Sequence, residues 1–403
     1  MRDMGIVVVG GGQAGSTLVS KLRSDGYAGP LALMCAEPVP PYQRPPLSKA
    51  YLMGEMERER LFLRPQHWYA DQDIALHMGQ PVTAIDPAGR TVTLDGAVVG
   101  YTELALTTGS TPRRLPPAIG GSLAGVYTVR TLADIDAMAP LFVAGKRLVI
   151  IGGGYIGLEA AAVAAKLRLQ VTVVEMAPRI LQRVASAQTS DYFRAAHQAH
   201  GVTILEGAGL ERLLGETHVT AARLSDGRDL PADFVIAGVG IQPDTRLAEA
   251  AGLILENGIR TDAHGRTSDP HIWAAGDCAS FPWQGGRLRL ESVQNAIDQA
   301  ECVADNLLGA ARDYVPTPWF WSDQFDIKLQ IAGLNTGYDH IATRKGEGEA
   351  ISFWYYKGDR LLAVDAMNDS RAYMIGKRLL EMGRSVAPAV ITNPETNLKA
   401  LLK

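Results

Sequence analysis

Two short glycine-rich runs carry the residues most able to do chemistry in this chain. Gly10–Gly15 reads GGGQAG, and Gly152–Gly157 reads GGGYIG. In this spacing the first glycine permits a tight turn, the second lets the backbone approach a pyrophosphate, and the third lets a helix pack closely on a strand. The N–H groups and partial positive charge of a helix N-terminus complete such a site. Each run therefore indicates dinucleotide binding.

The sequence around each run supports this interpretation. Apolar strands are predicted just before the runs, at residues 6–9 and 148–151, and helical patterns follow them at residues 14–22 and 155–167. One such run would be weak evidence, because glycine turns are common, but both copies have the strand–turn–helix context that the motif requires. A chain with two dinucleotide sites can hold two redox cofactors, which indicates a flavoprotein reduced by a nicotinamide nucleotide.

An acidic residue follows the second strand of each predicted unit. Glu175 lies 23 residues after Gly152, where an acid hydrogen-bonds the adenosine ribose hydroxyls. A carboxylate there repels a 2′-phosphate and favours NADH. NADPH remains an alternative because Arg179, a cation, lies four residues after Glu175. Glu37 lies 27 residues after Gly10 and is the candidate in the first unit. The alternative for both glutamates is a solvated charge at a strand end.

A third candidate site follows a later apolar strand. Residues 272–275 read IWAA and are followed by Gly276 and Asp277. In a strand–Gly-Asp–helix context the acid can accept hydrogen bonds from the ribityl hydroxyls of a flavin, whereas a Gly-Asp pair alone is only a turn. Because this segment comes after the second unit, we expect it to return to the first domain, with the nicotinamide-type domain inserted within the flavin-type domain.

Composition sets the outer limits on function. The chain has 403 residues, of which 47% are hydrophobic and 20% charged, so two or three globular domains are expected. A net charge of −4 provides no global attraction for nucleic acid, and no apolar run has the length of a membrane span. The three cysteines form no Cys-x-x-Cys pair, which suits a reducing cytoplasm and indicates that no redox disulfide operates. We expect them to be small buried side chains.

The predicted fold class is α/β, with two Rossmann-like dinucleotide-binding domains and a small α+β C-terminal domain. The predicted domains are a discontinuous FAD-binding domain at 1–112 and 244–317, an NAD-binding domain at 113–243, and a C-terminal domain at 318–403. Four prolines within residues 40–49 exclude a regular helix or strand there, and a helix is predicted from Ser48. Two later helices are predicted at about residues 292–308 and 371–382.

Several strings match one family in the family's order. They are Gly10–Gly15, Pro45–Lys49, Thr108–Gly109, Arg130–Leu132, Gly152–Glu159, Glu175, Gly276–Cys278, Glu291–Ala296 and Pro318–Gln324. On these residues the chain resembles the FAD-dependent, NADH-linked ferredoxin reductases of bacterial oxygenase systems, the putidaredoxin reductase type. The resemblance implies a glutathione-reductase-like fold, and electron transfer from NADH through FAD to a 2Fe–2S ferredoxin that serves an oxygenase.

The motifs and the resemblance together predict the cofactor contacts. The predicted FAD contacts are Gly10, Gly12, Ala14, Gly15, Ala36, Glu37, Arg44, Pro46, Lys49, Val82, Arg130, Gly276, Asp277, Val293 and Trp321. The predicted NAD contacts are Gly152, Gly154, Tyr155, Ile156, Gly157, Glu159, Glu175 and Gly240. The family's usual ribose acid falls on Ala36, one residue before Glu37, and a shift of one residue on a strand reverses the direction of the side chain.

Lys49 and Glu159 are the predicted catalytic residues. The resemblance implies that Lys49 lies near the flavin N5 and Glu159 near the nicotinamide amide. We further hypothesise that Lys49, if charged and paired with Glu159, stabilises the anionic reduced flavin. The alternatives are a surface lysine and an exposed helix charge. Trp321 is expected either at the flavin edge or in domain packing.

The remaining predictions concern partners and alternatives. The expected partner is an acidic 2Fe–2S ferredoxin, with Arg64 and Lys377 as docking charges or ordinary surface charges. We expect a cytoplasmic monomer or weak dimer with no bound metal, nucleic acid or membrane. His197 and His200 form a His-x-x-His pair that we interpret as surface residues, since no third ligand is evident. The alternative functions are a rubredoxin reductase, another NADH-dependent flavin dehydrogenase or oxidase, and a redox-sensing FAD- and NAD-binding protein.

Overall fold

A computed structural model describes residues 4–403 of the chain. Two compact units divide the described chain. The first contains the chain up to Gln43 together with Glu57–Thr111 and Ile241–Pro316. The second contains Arg44–Met56, Pro112–Gly240 and Thr317–Lys403. Both phosphate-loop candidates are thus embedded in folded units, one in each.

The strands follow one another along the whole chain. In order they are β1 Ile6–Val9, β2 Leu31–Cys35, β3 Ile74–Met78, β4 Val82–Asp86, β5 Thr91–Leu94, β6 Ala97–Gly100, β7 Glu103–Leu106, β8 Ser110–Pro112, β9 Val126–Tyr127, β10 Arg147–Ile151, β11 Gln170–Glu175, β12 Thr203–Glu206, β13 Leu210–Leu214, β14 Ala221–Leu224, β15 Asp229–Pro231, β16 Phe234–Ala237, β17 Ile241–Pro243, β18 Ile259–Arg260, β19 Ile272–Ala274, β20 Ala279–Trp283, β21 Gly286–Leu288, β22 Trp319–Gln324, β23 Ile327–Gly333, β24 His340–Lys345, β25 Ile351–Lys357 and β26 Arg360–Met367.

Helices connect these strands. The α-helices are α1 Gln13–Ser24, α2 Gln66–Asp71, α3 Leu132–Met138, α4 Tyr155–Lys166, α5 Ala187–Ala199, α6 Arg246–Ala250, α7 Val293–Leu307, α8 Ser370–Glu381 and α9 Pro388–Thr392. Short 3-10 helices span Pro45–Ser48, Arg58–Leu61, Pro117–Ile119, Ala139–Leu141 and Leu398–Leu402.

The first unit is built on a parallel sheet with the order β19-β7-β1-β2-β3. Its central strand, β1, has the sequence IVVV and is fully buried, as expected for a parallel strand covered on both faces. Strand β19 pairs in parallel with β7, so the segment that ends in Gly276 and Asp277 extends the sheet that contains the first glycine loop. The unit also contains two three-stranded sheets, β4-β5-β6 and β18-β20-β21.

The second unit contains a similar parallel sheet and an antiparallel sheet, each with five strands. The parallel sheet has the order β12-β11-β10-β16-β9, and β10 lies at its centre with the second glycine loop at its end. The strands β22-β23-β26-β25-β24 form an antiparallel sheet. Side chains from both parts share one apolar cluster, which includes Leu158 of α4, Phe193 of α5 and Tyr355 of β25. The C-terminal strands therefore pack on the helices that follow the second glycine loop.

Two expectations about local structure have different outcomes. The helices predicted near residues 292–308 and 371–382 are confirmed as α7 and α8. The helix predicted from Ser48 is wrong, because a 3-10 helix occupies Pro45–Ser48 and turns follow it. Prolines are tolerated in the first turn of a helix, and the piece ends because Lys49 has non-helical dihedral angles, φ −135° and ψ −113°. The predicted domain boundaries stay a prediction.

Candidate functional site

The first glycine loop has the geometry of a phosphate cradle. Gly10 has a φ of +122°, and a Cβ on it would lie 2.2 Å from the Thr107 carbonyl oxygen, so glycine is required at this turn. A Cβ on Gly15 would lie 2.0 Å from the Gly10 carbonyl oxygen, so α1 can approach the end of β1 only without a side chain there. A Cβ on Gly12, by contrast, would meet no heavy atom within 4 Å.

The second loop repeats this arrangement in its own unit. Gly152 has a φ of +108°, and a Cβ on Gly157 would lie 2.3 Å from the Gly152 carbonyl oxygen. Gly154 again faces open space, with no heavy atom within 4 Å of its ideal Cβ position. The three glycines of each loop thus divide into a turn, an open position and a close helix contact, as the spacing predicts.

The ends of both helices fit the pyrophosphate of a dinucleotide. Gly12 precedes α1 and Gly154 precedes α4, and neither residue has a side chain to cap the helix. The first turns of both helices contain no acidic residue. The N–H groups at these ends and the helix dipole are therefore available to an anion. The space beside Gly12 and Gly154 leaves room for the anion to approach them.

Glu175 ends β11 beside the second loop. Its Oε2 accepts a hydrogen bond from the Gly153 N–H at 2.7 Å, and its Oε1 accepts one from the Ala177 N–H at 2.7 Å. These charge-assisted bonds fix the carboxylate where the acid of a dinucleotide fold contacts the ribose. The side chain of Arg179 is engaged elsewhere: it donates to the Ser186 carbonyl at 3.0 Å and to the Ser190 hydroxyl at 2.5 Å.

The corresponding part of the first unit is built differently. Val9 pairs with Met34, just as Ile151 pairs with Val174, so the register places Cys35 at the position that Glu175 has in the second unit. Cys35 is buried, and burial raises the pKa of its thiol to about 12. Ala36 is exposed. Glu37 is half-buried, and its Oε2 accepts a hydrogen bond from the Tyr42 hydroxyl at 2.6 Å.

Asp277 lies after β19 in the same unit as the first loop. Its Oδ2 accepts a hydrogen bond from the Ser110 hydroxyl at 2.8 Å. The neighbouring Gly276 lies against α1, since its ideal Cβ would be 3.1 Å from the Ala14 Cβ. The structure therefore brings Gly276 and Ala14, two predicted FAD contacts from distant parts of the chain, next to each other.

Lys49 and Glu159 form an ion pair in the second unit. Lys49 Nζ lies 2.8 Å from Glu159 Oε2, and the side chains are 19% and 7% exposed. The Ser48 hydroxyl also donates to Oε2, at 2.8 Å, and the Ser322 hydroxyl donates to Oε1 at 2.7 Å. Neither a surface lysine nor an exposed helix charge describes this pair. The carboxylate is buried, is bonded on both oxygens and holds a cation beside it.

The other predicted contacts are distributed over the two units. Val82 and Val293 are half-buried in the first unit. In the second unit the Arg44 guanidinium donates to the Arg130 carbonyl at 2.6 Å. The remaining predicted contacts in the second unit, all exposed or half-buried, are Pro46, Tyr155, Ile156, Gly240 and Trp321. The roles of all these residues stay predictions.

Aromatic side chains connect the C-terminal sheet to the second loop. Phe320 in β22 packs on Tyr155, the first residue of α4, with 5.0 Å between ring centroids. Trp319 and Trp321 pack on each other at 5.7 Å. Trp321 therefore takes part in packing within the second unit.

The interpretation of His197 as a surface residue is wrong. His197 is fully buried on α5, and its Nε2 lies 2.8 Å from Gln324 Oε1. Burial lowers the pKa of its imidazole to about 4. His200 is exposed and stacks on Phe325. One signal in the sequence was available: His197 lies four residues after Phe193, on the apolar side of the helix.

The cysteines, acidic and histidine side chains and helices of residues 4–403 bear on three further expectations. Cys35, Cys278 and Cys302 are free and buried, which confirms the expectation for the cysteines. That part of the chain contains no cluster of three or more His, Cys, Asp or Glu side chains arranged to hold a metal ion. Nor does any of its helices have the length and apolar character needed to cross a membrane.

The chain matches two protein families. Residues 4–300 match the pyridine nucleotide-disulphide oxidoreductases, and residues 319–402 match the reductase C-terminal family. The chain is 44% identical over 402 residues to a ferredoxin–NAD(P)(+) reductase from Sphingomonas sp, with 98% of this chain and 96% of that protein covered. It is 41% identical to putidaredoxin reductase from Pseudomonas putida, with 98% and 96% covered.

The chain belongs to the pyridine nucleotide-disulphide oxidoreductase family, among its ferredoxin reductases. A solved structure of putidaredoxin reductase, in a covalent complex with putidaredoxin, superposes with a TM-score of 0.95 at 40% identity, covering 100% of this chain and 99% of that one. This ferredoxin reductase family member is an oxidoreductase that uses FAD and a nicotinamide dinucleotide, as the two glycine loops indicated. The predicted α/β fold class is confirmed.

Proposed function

We propose that this enzyme transfers electrons from NADH through FAD to a 2Fe–2S ferredoxin that serves an oxygenase. The observation that carries the proposal is the similarity over nearly the whole chain to a ferredoxin–NAD(P)(+) reductase and to putidaredoxin reductase, the latter also solved in a covalent complex with putidaredoxin. The two glycine loops, one in each unit, support it because the reaction needs one dinucleotide held tightly and another that exchanges.

The residues of the first unit would hold FAD. The α1 N-terminus after Gly12 would bind the pyrophosphate, and Asp277 would accept hydrogen bonds from the ribityl chain. Glu37, held by Tyr42, would reach the adenosine ribose. When bound, FAD supplies hydride acceptance and single-electron donation, chemistry that no side chain of this protein can perform.

The second unit would select NADH over NADPH. Glu175 is fixed by two backbone N–H groups and would meet a 2′-phosphate with like charge. Arg179, the residue that left NADPH open, donates to Ser186 and Ser190 and is thereby held in its own loop. A cation engaged in this way would have to break several hydrogen bonds before it could receive the extra phosphate.

Lys49 and Glu159 would serve the hydride transfer. Glu159 holds the Lys49 ammonium at 2.8 Å, in a place where only 19% of the lysine side chain is exposed to water. A cation fixed in such surroundings stabilises developing negative charge more strongly than one in bulk solvent, because it does not have to reorient. The role of Lys49 would thus be electrostatic, and that of Glu159 would be to hold Lys49 in place.

The same proposal includes the docking charges for the ferredoxin, the cellular compartment and the oligomeric state. A 2Fe–2S ferredoxin is usually acidic, and Arg64 is an exposed cation next to Trp68, with 5.4 Å from its guanidinium to the ring. Lys377 is already paired with Glu381 at 2.8 Å, so Arg64 is the better docking candidate of the two. We expect the enzyme to act in the cytoplasm as a monomer or weak dimer.

One assay tests the proposal. The purified flavoprotein is mixed with NADH and cytochrome c, with and without an added 2Fe–2S ferredoxin. We expect cytochrome c reduction to depend strongly on ferredoxin and to fall as salt screens the docking charges. Equal turnover without ferredoxin would favour a flavin dehydrogenase or oxidase, and turnover with rubredoxin alone would favour a rubredoxin reductase. Slow reduction under all conditions would favour a redox sensor.

A further inference from the structure

A buried chain of polar side chains leads away from Glu159 within the second unit. Glu159 Oε1 is 2.7 Å from Ser322 Oγ, which is 3.1 Å from Gln324 Nε2, and Gln324 Oε1 is 2.8 Å from His197 Nε2. Ser322, Gln324 and His197 are fully buried, and Glu159 is 6% exposed. Three separate elements, α4, β22 and α5, contribute to it.

The chemistry of the carboxylate sets the direction of every bond in this chain. A carboxylate paired with Lys49 can only accept, so the Ser322 hydroxyl must donate its proton to Glu159. Ser322 Oγ then receives the Gln324 amide N–H, which turns the amide oxygen toward His197. That oxygen can only accept, so His197 must carry its proton on Nε2.

The state of His197 agrees with this direction independently. Burial lowers the pKa of the imidazole to about 4, so the ring is neutral at pH 7 and carries one N–H. Its Nδ1 is buried and has no hydrogen-bond partner among residues 4–403. A bare nitrogen there is an unfilled acceptor, which costs less than an unsatisfied N–H donor. The single proton therefore belongs on Nε2, the end that faces Gln324.

We propose that Ser322, Gln324 and His197 are positioning residues, which orient the Glu159 carboxylate and, through it, the Lys49 ammonium. This inference rests on the proposed role of Lys49 and Glu159 in hydride transfer. Every bond of the chain donates toward Glu159, and aligned bonds of this kind polarise one another. The other carboxylate oxygen, Oε2, is thereby left to Ser48 and Lys49.

The first test removes the hydrogen bond between Ser322 and Glu159. In Ser322→Ala we expect the rate of flavin bleaching by NADH in stopped flow to fall about tenfold, or about 1.4 kcal/mol, while the Kd for NADH changes less than twofold. Ser322→Thr restores the hydroxyl and should recover most of the rate. Lys49→Met removes the cation itself, so its loss of rate is the upper limit for any change in Ser322, Gln324 or His197.

Ser352→Ala is the matched control. Ser352 is equally buried in β25 of the same antiparallel sheet, but it bonds to Trp354 and lies outside the chain to Glu159. We expect this variant to keep the wild-type rate. Equal slowing in Ser352→Ala and Ser322→Ala would overturn the positioning role, since any buried serine would then matter as much. A wild-type rate in Ser322→Ala would overturn it as well.

The second test needs no turnover. With 15N-labelled histidine, NMR should report His197 as the neutral Nε2–H tautomer from pH 5.5 to pH 8, and Gln324→Met should leave a mixture of tautomers. An Nδ1–H tautomer or a charged ring at pH 7 would overturn the direction of the chain. Because both tests omit ferredoxin, a failed ferredoxin assay leaves them standing. If the proposed function fails earlier, the wild type itself will not bleach with NADH.

Discussion

The two glycine loops share a backbone but differ in the residue that lies beside them. In both loops the first glycine has a positive φ, and the middle glycine has no heavy atom within 4 Å of its ideal Cβ position. An ideal Cβ on the third glycine would lie within 2.3 Å of a carbonyl oxygen. The second loop lies against Glu175, whose carboxylate accepts two backbone N–H groups. At the same register position the first loop has Cys35, and an ideal Cβ on Gly11 would lie 2.3 Å from its Sγ.

The difference between Glu175 and Cys35 shows that the glycines and the residue beside the loop have separate roles. The glycines allow the backbone to surround a pyrophosphate, and they do so in the same way in both units. The neighbouring residue decides how the loop is held and, in the proposed function, which ribose the site accepts. In the second unit the Glu175 carboxylate holds the loop and is our proposed ribose contact. In the first unit a buried thiol fills the corresponding space, and Glu37, bonded to Tyr42, lies two residues further along.

The largest expected effect comes from the third glycine of each loop. A Cβ would lie 2.0 Å from a carbonyl oxygen in Gly15→Ala and 2.3 Å in Gly157→Ala, so α1 or α4 must move away from its strand. We expect Gly15→Ala to purify with at least tenfold less bound flavin. Gly157→Ala should keep its flavin but show a KM for NADH raised by more than tenfold. Flavin absorbance per protein and steady-state kinetics measure both.

The middle glycines provide the control for that experiment. Gly12→Ala and Gly154→Ala place a methyl group where no atom of the protein lies within 4 Å, so the thermal midpoint of the ligand-free protein should stay within about 2 °C of wild type. Dinucleotide affinity should still fall, because the methyl group occupies the approach of the pyrophosphate. If Gly157→Ala lost flavin as completely as Gly15→Ala, the two loops would not act separately.

A smaller effect is expected from the acids. Glu175→Gln keeps the size of the side chain but loses the charge and one of two acceptors. Since a hydrogen bond to a charged group contributes about 1.5–3 kcal/mol, we expect the KM for NADH to rise about tenfold and the preference over NADPH to fall. Glu37→Gln should change the KM for NADH less than threefold. An unchanged NADH/NADPH ratio in Glu175→Gln would remove this residue from cofactor selection.

The smallest net effect concerns pH and again distinguishes the units. Besides Glu159, the second unit buries His197, whose pKa burial lowers to about 4, and Asp365, whose pKa burial raises to about 6. The described residues of the first unit, 4–43, 57–111 and 241–316, bury no histidine, aspartate or glutamate. Acidification should therefore change the stability of the second unit through two groups with opposite signs.

The signs follow from which state binds protons more tightly. Between pH 6.5 and about 4 the unfolded chain binds a proton at His197 that the folded chain does not, so stability falls as pH falls. Between about pH 6 and 3.8 the folded chain binds a proton at Asp365 more tightly than the unfolded chain, so stability rises as pH falls. At about 1.4 kcal/mol per pKa unit, each contribution is about 3 kcal/mol and they nearly cancel.

Two variants separate these contributions. We compare the change in the free energy of unfolding when the pH is lowered from 7.5 to 4.5. Relative to wild type, this change should be more favourable to the folded state in His197→Gln and less favourable in Asp365→Asn. Urea unfolding of the wild type and both variants at the two pH values measures the changes, and the comparison with wild type removes contributions from other titrating groups. The same sign of change in both variants would contradict the assignment.

Local patterns in the chain were sufficient for the elements that bind dinucleotides. Both glycine loops, the strands before them and the helices after them form as their residues predict, because turn, strand and helix signals all lie within about 20 residues. The sequence pattern also placed Glu175 at the end of β11. The helix expected from Ser48 does not form, because the backbone leaves helical geometry at Lys49, with φ −135° and ψ −113°.

The patterns alone already indicated two dinucleotide sites and placed Glu175 beside the second glycine loop. Only the tertiary structure decided that Lys49, Ser48 and Ser322 share the Glu159 carboxylate, and that His197 lies inside rather than on the surface. It also placed Cys35 opposite the first loop. The physical reason is range: a turn or helix is determined by neighbouring residues, whereas the partner of a buried charge is chosen by packing between segments more than 100 residues apart.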